Sequence, residues 1–492
     1  MTETAKKKRG MPSSFTILLA LLAIVAVITV IVSGTSGGAV TAARLSDFCT
    51  APILGFADAL PVCLFVMILG GFLGMMTETG ALDNGIAVLV QKLKGNEIML
   101  VPVLMLIFSL GGTTYGMCEE TVPFYALLAA TMMAAGFDPM VGAATVLLGA
   151  GCGCLGSTVN PFAVGAAVDA LTGVGIEVNQ SIIIGLGAVL WIVTTAMSIV
   201  FVMNYAKKVK ADKGSTILSM QELKDAEEAH GKAASEVHKE VKLTGRQKGV
   251  LIAFAFTFVV MIVGFIPLAD LNEGVANFFD AGAVYDADGN AVVQGWSALI
   301  TGLPIGQWYF DEASTWFLLM ALIIGVIGGV SESRFVKAFI NGAADMMSVV
   351  LIIALARSIT VLMAKTGLDM WILNNAAAAL TGMSAIIFAP LSFLLYIVLS
   401  FLIPSSSGMA TVSMPIMGGL ASQLNFSVET MVMIYSAGNG LVNLFTPTSG
   451  AIMGGLALAK IEWTTWLKFA LKLIVALSVV CAVILTVACV LL

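Results

Sequence analysis

The segment GTTYGMCEETVPF, residues 112–124, places two adjacent carboxylates, Glu119 and Glu120, inside one of the most apolar parts of the chain. Residues 100–116 before this pair carry no charged side chain, and neither do residues 121–137 after it. A carboxylate at the centre of a bilayer costs roughly 2.5–3.5 kcal/mol on insertion scales. Two such residues side by side therefore indicate that nearby groups offset the cost of burying negative charge.

The composition is that of a membrane protein. Of the 492 residues, 59% are hydrophobic and 11% are charged, whereas soluble domains carry about 25% charged residues. Apolar runs long enough to cross a bilayer as helices include residues 14–34, 249–269 and 469–492. We therefore predict an all-α polytopic membrane protein with an uncleaved first span.

The sequence lacks the parts of common hydrolytic sites. Both histidines, His230 and His238, lie in one polar stretch, so no apolar run supplies a histidine for a Ser-His or zinc mechanism, and the chain has no HExxH motif. The seven cysteines match no zinc site or disulfide framework. Cys152 and Cys154 are interpreted as packing residues in preference to a redox or metal pair. We predict no enzymatic activity and no cofactor.

Charge asymmetry predicts the orientation. The N-terminal KKKR at residues 6–9 and the ten Lys and Arg of residues 207–248 mark a cytoplasmic side. Residues 268–312 carry seven acids and no Lys or Arg, which is typical of an external loop. The prediction is a multi-pass protein of the cytoplasmic (inner) membrane, with its N-terminus cytoplasmic and its C-terminus external.

The chain divides into two predicted halves joined by a cytoplasmic linker at 207–248. The first half, 1–206, is predicted to contain span 16–34, span 59–76, an amphipathic inner arm at 82–94, a hairpin at 97–135, a broken helix at 139–172 and span 181–206. The second half, 249–492, is predicted to contain spans 249–267 and 313–330, an inner arm at 332–343, span 346–363, a hairpin at 384–422, a broken helix at 428–460 and span 465–490.

Polar breaks recur in matching places in the two halves. Gly116-Met117-x5-Pro123 recurs as Gly408-Met409-x5-Pro415, and each is followed by a second Gly/Pro-rich interruption, at 156–161 and 443–450. Matched interruptions of apolar segments are typical of internal repeats with discontinuous helices. Because 346–363 adds one unmatched crossing, the second copy is predicted to be inverted. The two hairpins are therefore predicted to be re-entrant from opposite faces.

Broken helices present free N–H groups at one new end and free carbonyls at the other, which suit an anion and a cation respectively. Neutral polar side chains at the four breaks form the predicted substrate site: Thr113, Thr114, Ser157, Thr158, Asn160, Ser405, Ser406, Ser407, Asn443, Thr446, Thr448 and Ser449. A Na⁺ site is predicted near Thr114, Asn160, Ser406 and Thr446. The alternative for any single hydroxyl is helix packing through hydrogen bonds to the backbone.

Four charged residues complete the predicted site. Glu119 and Glu120 follow the first turn, where a new helix N-terminus supports them, and we expect them to contact a cation of the substrate or a coupling ion. Asp169 is a weaker candidate of the same kind. Arg357, deep in an apolar run, either pairs with a carboxylate or binds a substrate carboxylate, and structural pairing is slightly favoured.

Four stretches in order resemble the C4-dicarboxylate anaerobic carrier family, most closely its YfcC-like branch: GMCEETVPF, LLGAGCGCLGSTVNPFAVG, IPSSSGMATVSMPIMGGLA and GLVNLFTPTSGAIMGGLALAKI. The resemblance implies a secondary transporter of the ion-transporter superfamily. It implies a fold similar to divalent-anion/sodium symporters, with scaffold and transport domains, a homodimer and elevator motion. In those relatives Ser-Asn-Thr motifs at the hairpin tips bind carboxylate and Na⁺, whereas this chain reads Thr113-Thr114-Tyr115 and Ser405-Ser406-Ser407.

The substrate is predicted from charge. The family name implies dicarboxylates, and the YfcC-like branch implies basic amino acids. Glu119 and Glu120 would repel a dianion but would attract the cationic end of an amino acid. We favour an amino acid, with Na⁺ or H⁺ coupling or exchange, and keep a C4-dicarboxylate as the alternative. A channel and an intramembrane enzyme are distant alternatives. The predicted partners are a small-molecule substrate, the lipid bilayer and a second copy of the chain, with no nucleic acid.

Overall fold

The computed structural model describes residues 14–82, 84–85, 88, 96–236, 242–271, 273–286 and 291–492. Most of the predicted inner arm 82–94 and the KKKR segment lie outside the described residues. The described helices are α1 (Ser14–Ser33), α2 (Leu45–Asp58), α3 (Leu60–Glu78), α4 (Leu100–Tyr115), α5 (Val122–Ala134), α6 (Pro139–Leu155), α7 (Ala166–Thr172), α8 (Gln180–Ala211), α9 (Met220–Glu236), α10 (Gly245–Phe265), α11 (Leu268–Leu271), α12 (Glu273–Phe279), α13 (Phe310–Gly328), α14 (Glu332–Asp345), α15 (Met347–Thr366), α16 (Leu368–Leu380), α17 (Ala385–Leu402), α18 (Ser406–Gln423), α19 (Val428–Val442), α20 (Gly450–Leu458) and α21 (Trp463–Leu491).

Strand structure within the described residues is one small antiparallel pair in the loop between α12 and α13. Its strands are β1 (Val284–Tyr285) and β2 (Ala291–Val293). Nine helical segments of the described chain are long and apolar enough to cross a membrane. Large apolar side chains remain exposed along these helices, for example Ile31 on α1, Ile192 on α8 and Val479 on α21, as expected for lipid contact. The protein is a multi-pass α-helical membrane protein, as predicted.

Two long, interrupted helices, at 45–78 and 332–366, pack against each other in antiparallel orientation. Ala59 separates α2 from α3, and Met346 separates α14 from α15. Cys63 on α3 donates through Sγ to the Val350 carbonyl on α15 at 3.7 Å. An ion pair lies at each end of the two packed helices: Arg334 with Glu78 at 2.6 Å, and Lys365 with Asp47 at 2.8 Å. We call α2, α3, α14 and α15 the central helix pair.

Glycine allows the close approach within the central helix pair. A Cβ on Gly55 would lie 2.5 Å from the Ser358 nitrogen and 2.6 Å from the Ala354 carbonyl oxygen. A Cβ on Gly74 would lie 2.5 Å from the Ala338 carbonyl oxygen. Both clashes are with backbone atoms, which cannot move aside as a flexible side chain would. The two interrupted helices therefore touch backbone to backbone at these levels.

One numerical shift relates the two members of the central helix pair. Adding 287 to the bounds of α2, 45–58, gives 332–345, the bounds of α14. Adding 287 to the bounds of α3, 60–78, gives 347–365, within one residue of α15. The same shift takes Asp47 to Arg334 and Glu78 to Lys365, so the two terminal ion pairs occupy corresponding positions with their charges exchanged.

This correspondence differs from the predicted one. The sequence pattern pairs span 59–76 with span 313–330 and predicts an arm on the inner face at 332–343. Span 346–363 has no counterpart in that prediction. In the structure, α14 lies alongside α3. Its residues Arg334, Asn341 and Asp345 line a cavity, and this polar side of the helix accounts for the amphipathic pattern behind the predicted arm. Helices α2 and α16 were not predicted, because both mix apolar and polar residues and fall short of a span.

Two helical hairpins follow the two members of the central helix pair. Helices α4 and α5 are joined through residues 116–121, and α17 and α18 through residues 403–405. The motif match of Gly116 with Gly408 is wrong in structural terms. Gly116 ends α4 in a left-handed conformation with φ of 78°, whereas Gly408 lies in the first turn of α18. Pro123 likewise begins α5, while Pro415 lies inside α18.

The predicted linker 207–248 contains a docked helix. Glu222 on α9 accepts a hydrogen bond from the Glu462 backbone N–H at 2.9 Å, and the His230 ring contacts the Leu458 carbonyl at 3.1 Å. Burial lowers the pKa of His230 and so favours the neutral ring. Asp138 accepts from Tyr205 and Thr216, both at 2.6 Å, and burial raises the pKa of its carboxyl. The linker is thus partly fixed to the helical body.

Candidate functional site

A cavity of about 150 Å³ lies where both hairpin turns and both helix breaks meet. We call it the central cavity. Ten of the predicted site residues line it: Glu119, Glu120, Asn160, Arg357, Ser405, Ser406, Ser407, Asn443, Thr448 and Ser449. Six others do not: Thr113, Thr114, Ser157, Thr158, Asp169 and Thr446. Residues from both halves of the chain therefore line one cavity.

Four helical segments begin at the wall of this cavity. The turn Glu119–Thr121 leads into α5, and the π-helical turn Pro161–Gly165 leads into α7. Helices α18 and α20 begin after Ser405 and Ser449. Each helix N-terminus is equivalent to roughly half a positive charge, so four contribute about two charges. This partial positive charge, together with the Cys118 N–H that bonds Glu120, favours negative charge at the cavity wall and helps to offset the cost of placing two carboxylates there.

The two glutamates differ in their surroundings. Glu120 is 2% exposed, and its Oε2 accepts a hydrogen bond from the Cys118 backbone N–H at 3.0 Å. Glu119 is half-buried beside it. Arg357 contributes to the wall from α15, and its Nε lies 2.7 Å from Asp58 Oδ2. Arg357 therefore pairs with a carboxylate, the alternative that the sequence slightly favours, and it also lines the cavity.

The serines and threonines of the second half divide into those already bonded and those free. Ser405 accepts from the Gly408 N–H at 3.2 Å and so caps α18, and Ser406 donates to Asn439 at 2.9 Å. Thr448 donates to the Phe401 carbonyl at 2.9 Å. Within the part of the chain that the structure describes, the hydroxyls of Ser407 and Ser449 have no hydrogen-bond partner. These two are available to a bound molecule.

The first break is held together by its own polar side chains. Thr113 donates to the Gly156 carbonyl at 2.6 Å, and Thr158 donates to the Thr113 carbonyl at 3.0 Å. Ser157 accepts from Asn160 at 3.0 Å, while the Asn160 side-chain oxygen caps the turn at Phe162 at 2.9 Å. Thr113, Ser157 and Thr158 are therefore structural, as the alternative interpretation of single hydroxyls expected.

The predicted Na⁺ set does not form one site. Asn160 and Ser406 line the central cavity, but Thr114 and Thr446 do not. Thr114 bonds the Leu110 carbonyl of its own helix at 2.6 Å, and Thr446 is fully buried against Thr448. Asp169 is exposed at the far end of its broken helix, away from the cavity. The prediction assumed that every polar residue near a break points to the same place.

Two residues of the site were missed. Asn439 lies in the apolar helix α19, accepts from Ser406 at 2.9 Å and from Asn443 at 3.2 Å, and lines the cavity. A buried amide in such a helix is a signal that could have been used. Asp58 ends α2, and its pairing with Arg357 could not be inferred because α2 itself was not predicted.

Replacement of Thr113 by valine should loosen the first break. The isosteric Thr113→Val leaves the buried Gly156 carbonyl without its donor, which should lower the free energy of unfolding by about 1–3 kcal/mol. Thr114→Val, one position away, removes only a bond within α4 and serves as the matched control. Thermal unfolding in detergent measures both. Equal melting temperatures for the two variants would contradict this role of Thr113.

Comparison with known proteins places the chain in a family. The profile of the family described as C4-dicarboxylate anaerobic carrier matches residues 39–490. The chain is 28% identical over 445 residues to an uncharacterized Haemophilus influenzae protein, covering 90% of this chain and 78% of that protein. It is 26% identical over 440 residues to the Escherichia coli K12 protein named "Putative basic amino acid antiporter YfcC", covering 87% of this chain and 77% of that protein.

Two solved transporter structures are similar over nearly the whole chain. The Alcanivorax borkumensis YdaH transporter matches at 16% identity and a TM-score of 0.46, covering 97% of this chain and 98% of that one. Neisseria gonorrhoeae MtrF matches at 15% identity and a TM-score of 0.43, covering 98% and 96%. Because the family profile spans residues 39–490, the chain belongs to the C4-dicarboxylate anaerobic carrier family, a family of membrane transporters.

Proposed function

We propose that the protein is a secondary active transporter that moves a small carboxylate-bearing metabolite, preferably a basic amino acid, across the cytoplasmic membrane. The observation that carries the proposal is the central cavity. It has two carboxylates at the first hairpin turn, and the free hydroxyls of Ser407 and Ser449 at the N-termini of α18 and α20. A molecule with a cationic end and a carboxylate end matches both walls at once. Transport needs no covalent step, so no catalytic residue or cofactor is assigned.

The cargo binds with its charges separated. Its ammonium or guanidinium group lies against Glu119 and Glu120, and its carboxylate accepts from Ser407, Ser449 and the first N–H groups of α20. At roughly 10–15 Å³ of such volume per water-sized group, the cavity accommodates about ten to fifteen non-hydrogen atoms. That is the size of a single amino acid. The name of the Escherichia coli relative supports a basic amino acid as cargo and exchange as the mode.

A C4-dicarboxylate is the second candidate. The family description supports it, and Arg357 faces the cavity. A dianion would have to sit beside Glu119 and Glu120, however, and Arg357 is already paired with Asp58. This arrangement would require a bound cation, Na⁺ or H⁺, to offset the repulsion. The amino acid needs no such compensation, and we therefore rank it first.

The fold proposed for this activity has inverted-topology repeats, as in divalent-anion/sodium symporters. The shift of 287 positions supports it, because it relates α2 and α3 to α14 and α15. It also relates the last residue of α4, 115, to the last residue of α17, 402. Subtracting 287 from the bounds of α16 gives 81–93, close to the predicted inner arm. In this register α10 is the crossing without a counterpart, and it inverts everything that follows it. Both hairpins are then re-entrant, from opposite faces.

This topology supports alternating access by an elevator. The central helix pair with α1, α10 and α13 forms the scaffold, and the hairpins with the broken helices and α8 and α21 form the moving part. The N-terminus is cytoplasmic and the C-terminus external, which keeps the basic linker inside. Coupling to Na⁺ or H⁺, assembly as a homodimer and the absence of nucleic-acid partners remain predictions.

Counterflow tests the function directly. Proteoliposomes loaded with unlabelled L-arginine should take up labelled L-arginine faster than empty ones, because a carrier exchanges cargo through its bound states. Loading with succinate should give the same acceleration of labelled succinate only if the second candidate is correct. Uptake that is independent of the internal contents for every amino acid and dicarboxylate tested would reject a carrier of either kind.

Two variants should separate the two ends of the cargo. Glu120→Gln removes one charge near the cation and should weaken binding of both L-arginine and agmatine, its decarboxylated analogue, by about tenfold, or roughly 1.4 kcal/mol. Ser449→Ala removes a donor to the carboxylate and should weaken L-arginine alone. Equilibrium binding to purified protein in detergent measures both. Glu332→Gln, an exposed carboxylate on α14 outside the cavity, is the charge-matched control. Equal affinities for agmatine in wild type and Glu120→Gln would remove Glu120 from the site.

A further inference from the structure

A second cavity of about 530 Å³ lies between α3, α14 and α5. His230 of the docked linker helix contributes to its wall, so we call it the linker-side cavity. Its charged lining residues in the described chain are Glu78, Arg334 and Asp345, and its polar ones include Asn341 and Thr131. None of these residues was predicted to have a role.

The two cavities follow one another along α5. Thr121 and Tyr125 line the central cavity, while Ala126, Ala130 and Thr131 line the linker-side cavity. With a rise of 1.5 Å per residue, the positions from 121 to 131 span about 15 Å. An apolar cluster with members in both walls, among them Met346 and Ile353, separates the two spaces. The linker-side cavity is therefore placed on a route between the central cavity and the linker face.

Asp345 lines this cavity at the end nearer the Met346 break, and its side chain is exposed. Arg334 and Asp345 stand at opposite ends of the lining stretch of α14, about 16 Å apart along the helix axis. Glu78 is neutralised by Arg334 at 2.6 Å, at the end farther from the Met346 break. Among the described residues Asp345 makes no ion pair. One uncompensated carboxylate thus faces the space beside the break.

The counterpart of Asp345 already binds a guanidinium group. The shift of 287 positions relates Asp58 to Asp345 and Gly70 to Arg357. Asp58 pairs with the Arg357 side chain at 2.7 Å. At the corresponding place in the other half, Asp345 and Gly70 line the same cavity, and a Cβ on Gly70 would lie 2.4 Å from Met346 Cγ. Met346 therefore fills the place of the arginine stem, and Asp345 is left without the guanidinium that its counterpart has.

We propose that the linker-side cavity is a second cation-binding site, in which Asp345 receives a guanidinium or ammonium group from the cavity, as its counterpart Asp58 receives the guanidinium of Arg357. That this cation belongs to the transported cargo rests on the function proposed above. The cargo then has two sites in series along α5. The first recognises both of its ends, and the second holds its cationic end on the way to or from the linker face.

Charge-selective labelling of a single introduced cysteine tests the site without any transport assay. Asn341→Cys places a thiol in the wall of the linker-side cavity. A trimethylammonium-ethyl methanethiosulfonate should modify it faster than the sulfonate-ethyl analogue. Adding Asp345→Asn should lower this rate ratio by about tenfold, because a carboxylate in a confined space concentrates cations. Adding Glu332→Gln, on the same helix but outside the cavity, should leave the ratio unchanged. Protein without Asn341→Cys gives the background from native cysteines.

Protection by agmatine separates this site from the central one. Agmatine should slow the labelling of Asn341→Cys, and this protection should disappear with Asp345→Asn and persist with Glu120→Gln. Protection lost with Glu120→Gln and kept with Asp345→Asn would mean that the cation is held only in the central cavity, and the proposal would be wrong. A rate ratio that Asp345→Asn does not change would overturn it as well. Neither outcome depends on whether L-arginine is transported.

Discussion

The convergence of four helix N-termini on the cavity that Glu119 and Glu120 line is the interaction on which the rest of the structure depends. A helix N-terminus carries a partial positive charge and would be costly to bury alone. Glu119 and Glu120 are costly for the opposite reason. Around one cavity, the partial positive charge of the N-termini and the negative charge of the glutamates stabilise each other. The cavity can then bind a cargo that carries both a positive and a negative group. The four breaks must therefore stay in position for the site to exist.

Small residues and side-chain bonds keep the breaks in position. Gly187 of α8 lies against the Ser157 backbone so closely that a Cβ would collide with it. Thr113 and Asn160 supply the hydrogen bonds that the interrupted backbone lacks at the first break. In the second half, Thr448 donates to the Phe401 carbonyl and Tyr435 donates to the Ser406 carbonyl. The irregular backbone is tolerated because protein groups satisfy it inside the membrane.

The sequence predicts those features of the structure that have a local physical signal, and it does not predict those that depend on packing between helices. Long apolar runs and polar Gly/Pro breaks are strong local signals, so the membrane class and the clustering of Glu119 with Ser405–Ser407 in one cavity could be anticipated. The register of the two halves could not. Helices α2 and α14 are too short and too polar to be recognised as parts of spans, because they pack against protein. Thr114 shows the other limit, since spacing alone does not tell which neighbouring hydroxyl faces its own helix.

Crosslinking of the two hairpin turns tests the central claim most directly. Glu119→Cys and Ser407→Cys, combined in a Cys118→Ser background, place one thiol on each wall of the cavity. A short bifunctional methanethiosulfonate should join them within one chain. As a control, the pair Glu119→Cys and Asp169→Cys should not be joined, because Asp169 lies outside the cavity. Labelling of both thiols without crosslinking of the first pair would contradict a cavity shared by the two halves.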